Sequence, residues 1–139
     1  MESDNAGGSA GMKIKNSQIV NFINGIMNLK EKKLPIKLGY AITRNIKIMD
    51  PVATSYEEER QKILGKYAEK DDSGKFRVDD GSYIIADIVA YEREMNELLA
   101  IENEMQLHTV TFDEIEKCDL EQFDALSVQD ITLLDLMME

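Results

Sequence analysis

The sequence is poor in the residues on which much protein chemistry depends: it has one cysteine, one histidine and no tryptophan. Cys118 and His108 alone can form neither an intrachain disulfide nor the ligand set of a zinc site. We interpret Cys118 as a small buried apolar residue and His108 as a surface or interface residue. Gly25, Gly39 and Gly65 stand singly within helical patterns, so there is no glycine-rich phosphate loop. We therefore expect no catalytic residue, no metal site and no cofactor.

Long apolar runs are also missing, since no stretch approaches the roughly 18 uninterrupted apolar residues of a membrane-spanning helix. We expect no membrane partner. The 139 residues, 43% of them hydrophobic and 31% charged, have the composition of one globular domain. Residues 1–11 contain no large apolar side chain except Met1, so we interpret them as an appended leader or linker, with a disordered tail as the alternative. Residues 12–139 are predicted to form a single helical domain.

Positive charge is scarce in the second half of the chain. The net charge is −11; residues 1–70 carry 12 Lys/Arg and 8 Asp/Glu, whereas residues 71–139 carry 4 and 19. Two interpretations stay open: the halves fold together and partly neutralise each other, or an acidic face remains for a basic partner or mimics a nucleic acid. Direct nucleic-acid binding is disfavoured, because it requires cationic surface.

Apolar residues recur at spacings of three and four through much of the first half, which predicts helices. The first helix covers residues 17–32, with Asn16 or Ser17 as its cap. The second covers residues 36–69. Pro51 lies inside the second helix, but the apolar register continues in phase across it, so we expect one kinked helix.

The long helix carries a heptad seam in which the spacing alternates between four and three. We call these eight residues the seam: Ile42, Ile46, Met49, Ala53, Tyr56, Arg60, Ile63 and Tyr67. A shorter helix at residues 87–101 cannot cover the whole stripe, so we expect a homodimer or higher homo-oligomer formed through the seam. A monomer whose other helices cover it is the alternative.

An Asp-Gly turn between two β-prone runs predicts a β-hairpin within residues 71–86. Asp87 is the expected cap of the helix at 87–101. We expect this helix and the one at 36–69 to form an antiparallel helical hairpin with the β-hairpin at its tip.

Residues 105–110 alternate apolar and polar side chains and are predicted to pair with an edge strand at 12–15. Capping-box patterns that begin at Thr111 and Ser127 predict two short C-terminal helices. The predicted fold class is therefore α+β and predominantly α: a long helical hairpin, a small β-hairpin, one further strand pair and short C-terminal helices.

Residues 69–80 resemble a calcium loop in part, with oxygen ligands at alternate positions. Glu69 stands where Asp is usual, Arg77 occupies the ninth position, and the short Asp80 replaces the bidentate Glu. The pattern also continues as a strand, whereas a calcium hand continues as a helix. We interpret the segment as a plain turn.

Several short stretches carry a resemblance to a known group of proteins. They are residues 12–16, 34–37, 56–60, 66–71 and 97–99, together with the acidic apolar tail. They resemble small proteins of phages and prophages in Gram-positive bacteria, and the resemblance extends over nearly all of residues 12–139. That group has no assigned activity, so the resemblance implies a phage setting without a particular chemistry.

Two functions of different kinds remain open. The first is a non-enzymatic phage protein that binds, and so inhibits or sequesters, a host component such as a defence system. The second is a virion-assembly factor, for example a tail or capsid chaperone. Either would have a host or phage protein as its partner, in the cytoplasm of the host bacterium, because no secretory leader is visible. An enzyme is disfavoured, since no nucleophile is paired with a base.

Overall fold

The structure is a computed structural model that describes residues 9–139, so the interpretation of residues 1–8 as a leader lies outside the described residues. The elements are β1 (Ser9–Lys15), α1 (Asn16–Leu29), α2 (Ile36–Tyr67), β2 (Val78–Asp79), β3 (Ser82–Tyr83), α3 (Ile88–Leu99), β4 (Glu102–His108), α4 (Phe112–Glu116) and α5 (Val128–Leu134), with 3-10 turns at Lys117–Asp119 and Asp135–Met137. The predicted fold class, α+β and predominantly α, is confirmed.

β1 and β4 form the expected two-stranded antiparallel sheet, but residues 12–15 pair with residues 102–105, and the strand ends at His108, so the predicted range of 105–110 is shifted. Opposite charges face each other across it, for example Lys13 and Glu104. The sheet is longer than predicted and includes residues 9–11, which we had counted with the leader. A ladder of backbone hydrogen bonds does not require apolar side chains. Residues 9–11 have no alternating apolar pattern, so this end of the strand could not be recognised from the sequence.

The start of α1 differs from the predicted cap. Asn16 is itself the first helical residue, is buried, and donates a hydrogen bond to the Leu98 carbonyl at 2.8 Å. Its side-chain oxygen accepts from Asn103 at 2.8 Å. The side chain that bonds to the backbone at the helix start is instead Gln18, whose Oε1 accepts a hydrogen bond from the Lys15 N–H at 2.9 Å. Asn16 therefore joins α1 to the end of α3.

α2 runs unbroken from Ile36 to Tyr67, close to the predicted 36–69, with Pro51 inside it. The proline removes the hydrogen bond that the Lys47 carbonyl would otherwise accept. Pro51 and Lys47 are both exposed, so the freed carbonyl lies on the solvent side of the helix. The helix continues because this carbonyl is not trapped in the core.

The core lies between α1, the first half of α2, the β1–β4 sheet and the C-terminal segment. Its large, fully buried apolar side chains are Ile14, Ile19, Phe22, Ile26, Leu29, Leu38, Ile42, Met49, Leu107, Leu134 and Met137. Burial of each such side chain stabilises the fold by about 1.5–3 kcal/mol relative to an exposed one.

α3 returns along the second half of α2, which confirms the helical hairpin. The Tyr67 and Tyr91 rings meet edge to face with centroids 6.4 Å apart. Tyr67 Oη and Lys66 Nζ both donate hydrogen bonds to the Glu94 carboxylate, and these bonds hold the pKa of Glu94 below its ordinary value. The second half of α2, the β-hairpin and α3 (residues 54–99) are called the arm below.

The β-hairpin at the tip of the arm is shorter than the predicted segment. It has two residue pairs, Val78 with Tyr83 and Asp79 with Ser82. The turn residues between them have φ values of 53° at Asp80 and 79° at Gly81. These left-handed conformations are those for which Asp-Gly is favoured in a two-residue hairpin turn.

One of the two predicted capping boxes forms completely. Ser127 and Asp130 exchange side-chain-to-backbone hydrogen bonds of 3.0 Å in both directions. At α4, Thr111 accepts from the Glu114 N–H, but the Glu114 carboxylate turns to Lys117 Nζ at 2.6 Å. The prediction of a full box at Thr111 is wrong, because the nearby ammonium is a stronger donor for that carboxylate than a backbone N–H.

Asn45 is a polar side chain that is fully buried against the end of β4. Its Nδ2 donates to the His108 carbonyl at 2.9 Å, and its Oδ1 accepts from the His108 N–H at 2.7 Å. A single side chain therefore satisfies both backbone groups of His108, and it joins α2 to the sheet.

The connection between α1 and α2 is fixed to the C-terminal segment by polar contacts. Lys32 Nζ lies 2.8 Å from Asp130 Oδ2, and the Lys33 N–H donates to Asp124 Oδ2 at 2.7 Å. Burial by itself raises the pKa of Asp130, but the hydrogen bonds from Lys32 and Ser127 outweigh it, and the net shift is downward.

Replacing Asn45 with Ala should lower the free energy of unfolding by about 2–4 kcal/mol, because it leaves the His108 N–H and carbonyl without partners. Chemical denaturation followed by circular dichroism measures this. The control is Asn28→Ala, an exposed position of α1, where we expect a change within about 0.5 kcal/mol. Equal losses in the two variants would contradict this account of Asn45.

Asp130→Asn should reduce stability at neutral pH by about 1–3 kcal/mol, because Lys32 loses a partly buried charged partner. The pKa of Asp130 is lowered on folding. Its contribution is therefore complete above the unfolded pKa of about 4 and is lost as the pH falls through the folded pKa. Urea midpoints across that acidic range should fall less steeply in Asp130→Asn than in the wild type. The exposed Asp72→Asn change, which also removes one carboxylate, is the control.

Candidate functional site

The structure divides the seam into two halves. Ile42 and Met49 are fully buried in the chain's own core, and Ile46 and Ala53 pack against it. The remaining members are half-buried on the arm: Tyr56, Arg60, Ile63 and Tyr67. The first half is therefore largely used within the chain, because α1, the sheet and the C-terminal segment pack against it. Self-association stays a prediction, and it would have to use mainly the second half of the seam.

Arg60, the polar member of the seam, lies in a shallow groove between α1 and α2 that Val20 and Ile23 also line. Its guanidinium contacts Glu57 at 3.2 Å, one turn earlier on the same helix. The stem of Arg60 therefore covers apolar surface while its charge stays near solvent, one of the arrangements open to an arginine in a seam.

The turn at residues 69–80 uses its carboxylates locally. Asp71 Oδ1 accepts hydrogen bonds from Ser73 Oγ at 2.6 Å and from the Ser73 and Lys75 N–H groups at 2.9 and 3.0 Å. These bonds lower the pKa of Asp71. Glu69 pairs with Arg77 at 3.1 Å. Within residues 9–139, no three His, Cys, Asp or Glu side chains lie close enough together to hold a metal ion.

Cys118 is buried, as expected, with 1% of its surface exposed. Burial, reinforced by the neighbouring Asp119 carboxylate, raises the pKa of its thiol, so the thiolate is disfavoured. The His108 ring meets the Tyr40 ring edge to face, with centroids 6.3 Å apart. His108 therefore supports the position of an exposed aromatic side chain.

The outward face of the first half of α2 carries two exposed apolar residues. Ile36 is 86% exposed and Tyr40 61% exposed. Lys37, Tyr40, Arg44 and Lys47 follow one another at spacings of three, four and three, so all four side chains leave the helix on one side. An aromatic residue thus stands among three cations.

A depression of about 400 Å³, here called the α2 cleft, opens beside Tyr40. Its walls include Leu34, Pro35 and Ile36 from the helix start and Gly39, Tyr40 and Thr43 from the helix. A Cβ atom at Gly39 would meet no other atom within 4 Å, so a larger side chain at this position would extend into open space. The turn into α2 and the first turns of the helix together form the cleft.

Positive charge is concentrated in the segment that forms the cleft. Residues 30–50 carry six Lys/Arg and two Asp/Glu, which accounts for the entire positive surplus of the first half of the chain. Five of these cations are exposed and have no ion pair within residues 9–139: Lys30, Lys33, Lys37, Arg44 and Lys47. These five residues with Ile36 and Tyr40 are called the cationic face.

Our reasoning from sequence missed the cationic face, although part of the signal was present. The charge count was divided at residue 70, which diluted a positive segment of 21 residues. The three-four spacing of Lys37, Tyr40, Arg44 and Lys47 was also visible. The cleft itself had no signal, since it depends on how the loop before α2 packs.

Comparisons with known proteins identify no relative: no protein-family model, no curated protein and no solved structure matches this chain. Within residues 9–139 the structure contains no helix with both the length and the apolar character needed to cross a membrane.

Calcium should leave the melting temperature of the protein unchanged up to millimolar concentration. Local hydrogen-bond donors already bind the Asp71 carboxylate, and Arg77 forms an ion pair with Glu69. Differential scanning fluorimetry measures this. Binding to the native state alone must raise the melting temperature. A rise of several degrees at micromolar calcium that disappears in Asp71→Asn would show that the turn is a calcium site.

Proposed function

We propose that this protein acts by binding another macromolecule, without catalysis, and that the cationic face is the surface it uses. The observation that carries the proposal is a set of five exposed cations close to an apolar cleft, none of them in an ion pair within residues 9–139, in a chain whose net charge is −11. In the free protein, cations that lie near one another and near an exposed isoleucine and tyrosine contribute nothing to stability. A partner that supplies carboxylates or phosphates and apolar surface would make the arrangement favourable.

In the phage setting that the sequence resemblance implies, the partner is a host component, such as part of a defence system, and binding inhibits or sequesters it. Small size and an exposed binding surface fit this role. The partner and the protein would meet in the cytoplasm of the host bacterium. A partner that belongs to the virion would instead make the protein an assembly factor.

Three charge reversals on the cationic face, Lys37→Glu, Arg44→Glu and Lys47→Glu, should reduce capture of the partner by about tenfold or more. The measurement is quantitative mass spectrometry of proteins retained by the tagged chain from infected and uninfected Gram-positive lysates. The control reverses Lys62, Lys70 and Lys75, which are exposed outside this face, so the change in net charge is the same. Circular dichroism verifies that both variants are folded.

The control should retain the partner at the wild-type level. Retention that falls equally in both triple variants would mean that net charge, and not this face, governs binding. A partner retained equally by the wild type and both variants would also refute the assignment of the cationic face.

A further inference from the structure

We infer that the α2 cleft receives one apolar side chain from an acidic segment of a partner protein, while carboxylates on either side of it contact the surrounding cations. This inference rests on the proposed function and names the chemistry of the partner. The occupant is a short stretch of Asp and Glu that contains one large aliphatic or aromatic residue.

The lining of the cleft explains the apolar anchor. Leu34, Pro35, Ile36 and Ile42 give it aliphatic walls, and Ile42 is itself 1% exposed and belongs to the core. A volume of about 400 Å³ lies at the lower end of the range for ligand pockets. The space admits a large aliphatic or aromatic side chain, and its apolar walls stabilise one that leaves water.

The cations explain the acidic neighbours of the anchor. Lys30 lines the cleft on the loop side, whereas Lys37 and Lys47 lie one turn before and two turns after Tyr40 on the helix. Lys32 also lines the cleft, but Asp130 holds its ammonium at 2.8 Å. Carboxylates that flank an apolar residue can therefore meet ammonium groups on both sides of the cleft that have no ion pair within the part of the chain that the structure describes.

A nucleic acid fits the same surface less well. Recognition of unpaired bases relies on aromatic side chains that stack on them. Among the described residues, Tyr40 has the one aromatic side chain that lines the cleft, and the other apolar walls are aliphatic. A long polyanion would also meet the negative field of residues 71–139, which carry 19 Asp/Glu and 4 Lys/Arg. A short acidic peptide can occupy the positive segment alone.

Gly39 allows a variant that closes the cleft without disturbing the core. Gly39→Leu places a side chain where a Cβ meets no atom within 4 Å. Gly65→Leu is the matched control, because Gly65 lies on the same helix, has the same open space, and is far from the cleft. Leucine favours a helix more than glycine does, so neither variant should lower the melting temperature.

The probes are fluorescein-labelled peptides: an acidic peptide with one central Leu, its Leu→Ser derivative, and a derivative with Gln and Asn in place of Glu and Asp. Fluorescence anisotropy should show binding of the first peptide to the wild type and to Gly65→Leu. Gly39→Leu should weaken it by about tenfold or more, which is about 1.4 kcal/mol. Both derivatives should bind more weakly, and added salt should reduce the affinity.

Absence of binding by acidic peptides with Leu, Ile or Phe as the anchor would overturn the inference, as would equal affinity for the Gly39 and Gly65 variants. Tighter binding of single-stranded DNA that Gly39→Leu weakens would assign the cleft to nucleic acid, and concentration-dependent dimers that Gly39→Leu dissociates would assign it to a second copy. If peptides fail but capture from lysate still depends on Lys37, Arg44 and Lys47, the proposed function stands and only the peptide chemistry is wrong.

Discussion

The pairing between Asn45 and the backbone of His108 determines how α2 is rotated about its own axis. The amide must point at the end of β4, and this orientation places the neighbouring Leu38, Ile42 and Met49 in the core. At 3.6 residues per turn, the opposite side of the helix must then face outward. Tyr40 and its cations are exposed for this reason. The candidate binding surface is thus a geometric consequence of a buried hydrogen-bonded pair on the other side of the same helix.

Features whose causes lie within a few residues of sequence could be predicted. Asp87 and Ser127 cap helices where expected, since each accepts a hydrogen bond from an N–H three residues later. The turn at Asp80 and Gly81 follows from the left-handed conformations that these residues tolerate. The limits of α2 follow from its apolar period, which Pro51 did not interrupt. Local preferences and global packing agree at these positions.

Features that depend on contacts between distant segments could not be predicted. The seam was correctly placed on one side of α2, but the sequence did not show that β4 and the C-terminal segment cover Ile42 and Met49. The sequence analysis did not single out Asn45, because its backbone partner lies 63 positions away. Of the two interpretations of the bipolar charge, mutual neutralisation operates at Lys32–Asp130 and Lys66–Glu94. The cationic face is a local surplus of positive charge, whereas the sequence suggested a surplus acidic face.

α2 belongs both to the core and to the arm, and its 32 residues span about 48 Å. Its first half is held by the large buried cluster, whereas in the arm the buried apolar residues are Leu64, Ala68 and Leu98. α2 therefore has a densely packed first half and a sparsely packed second half. The cationic face lies at the densely packed end, so its side chains are carried on a backbone that is already in place, and the loss of freedom when a partner docks falls on the side chains more than on the backbone.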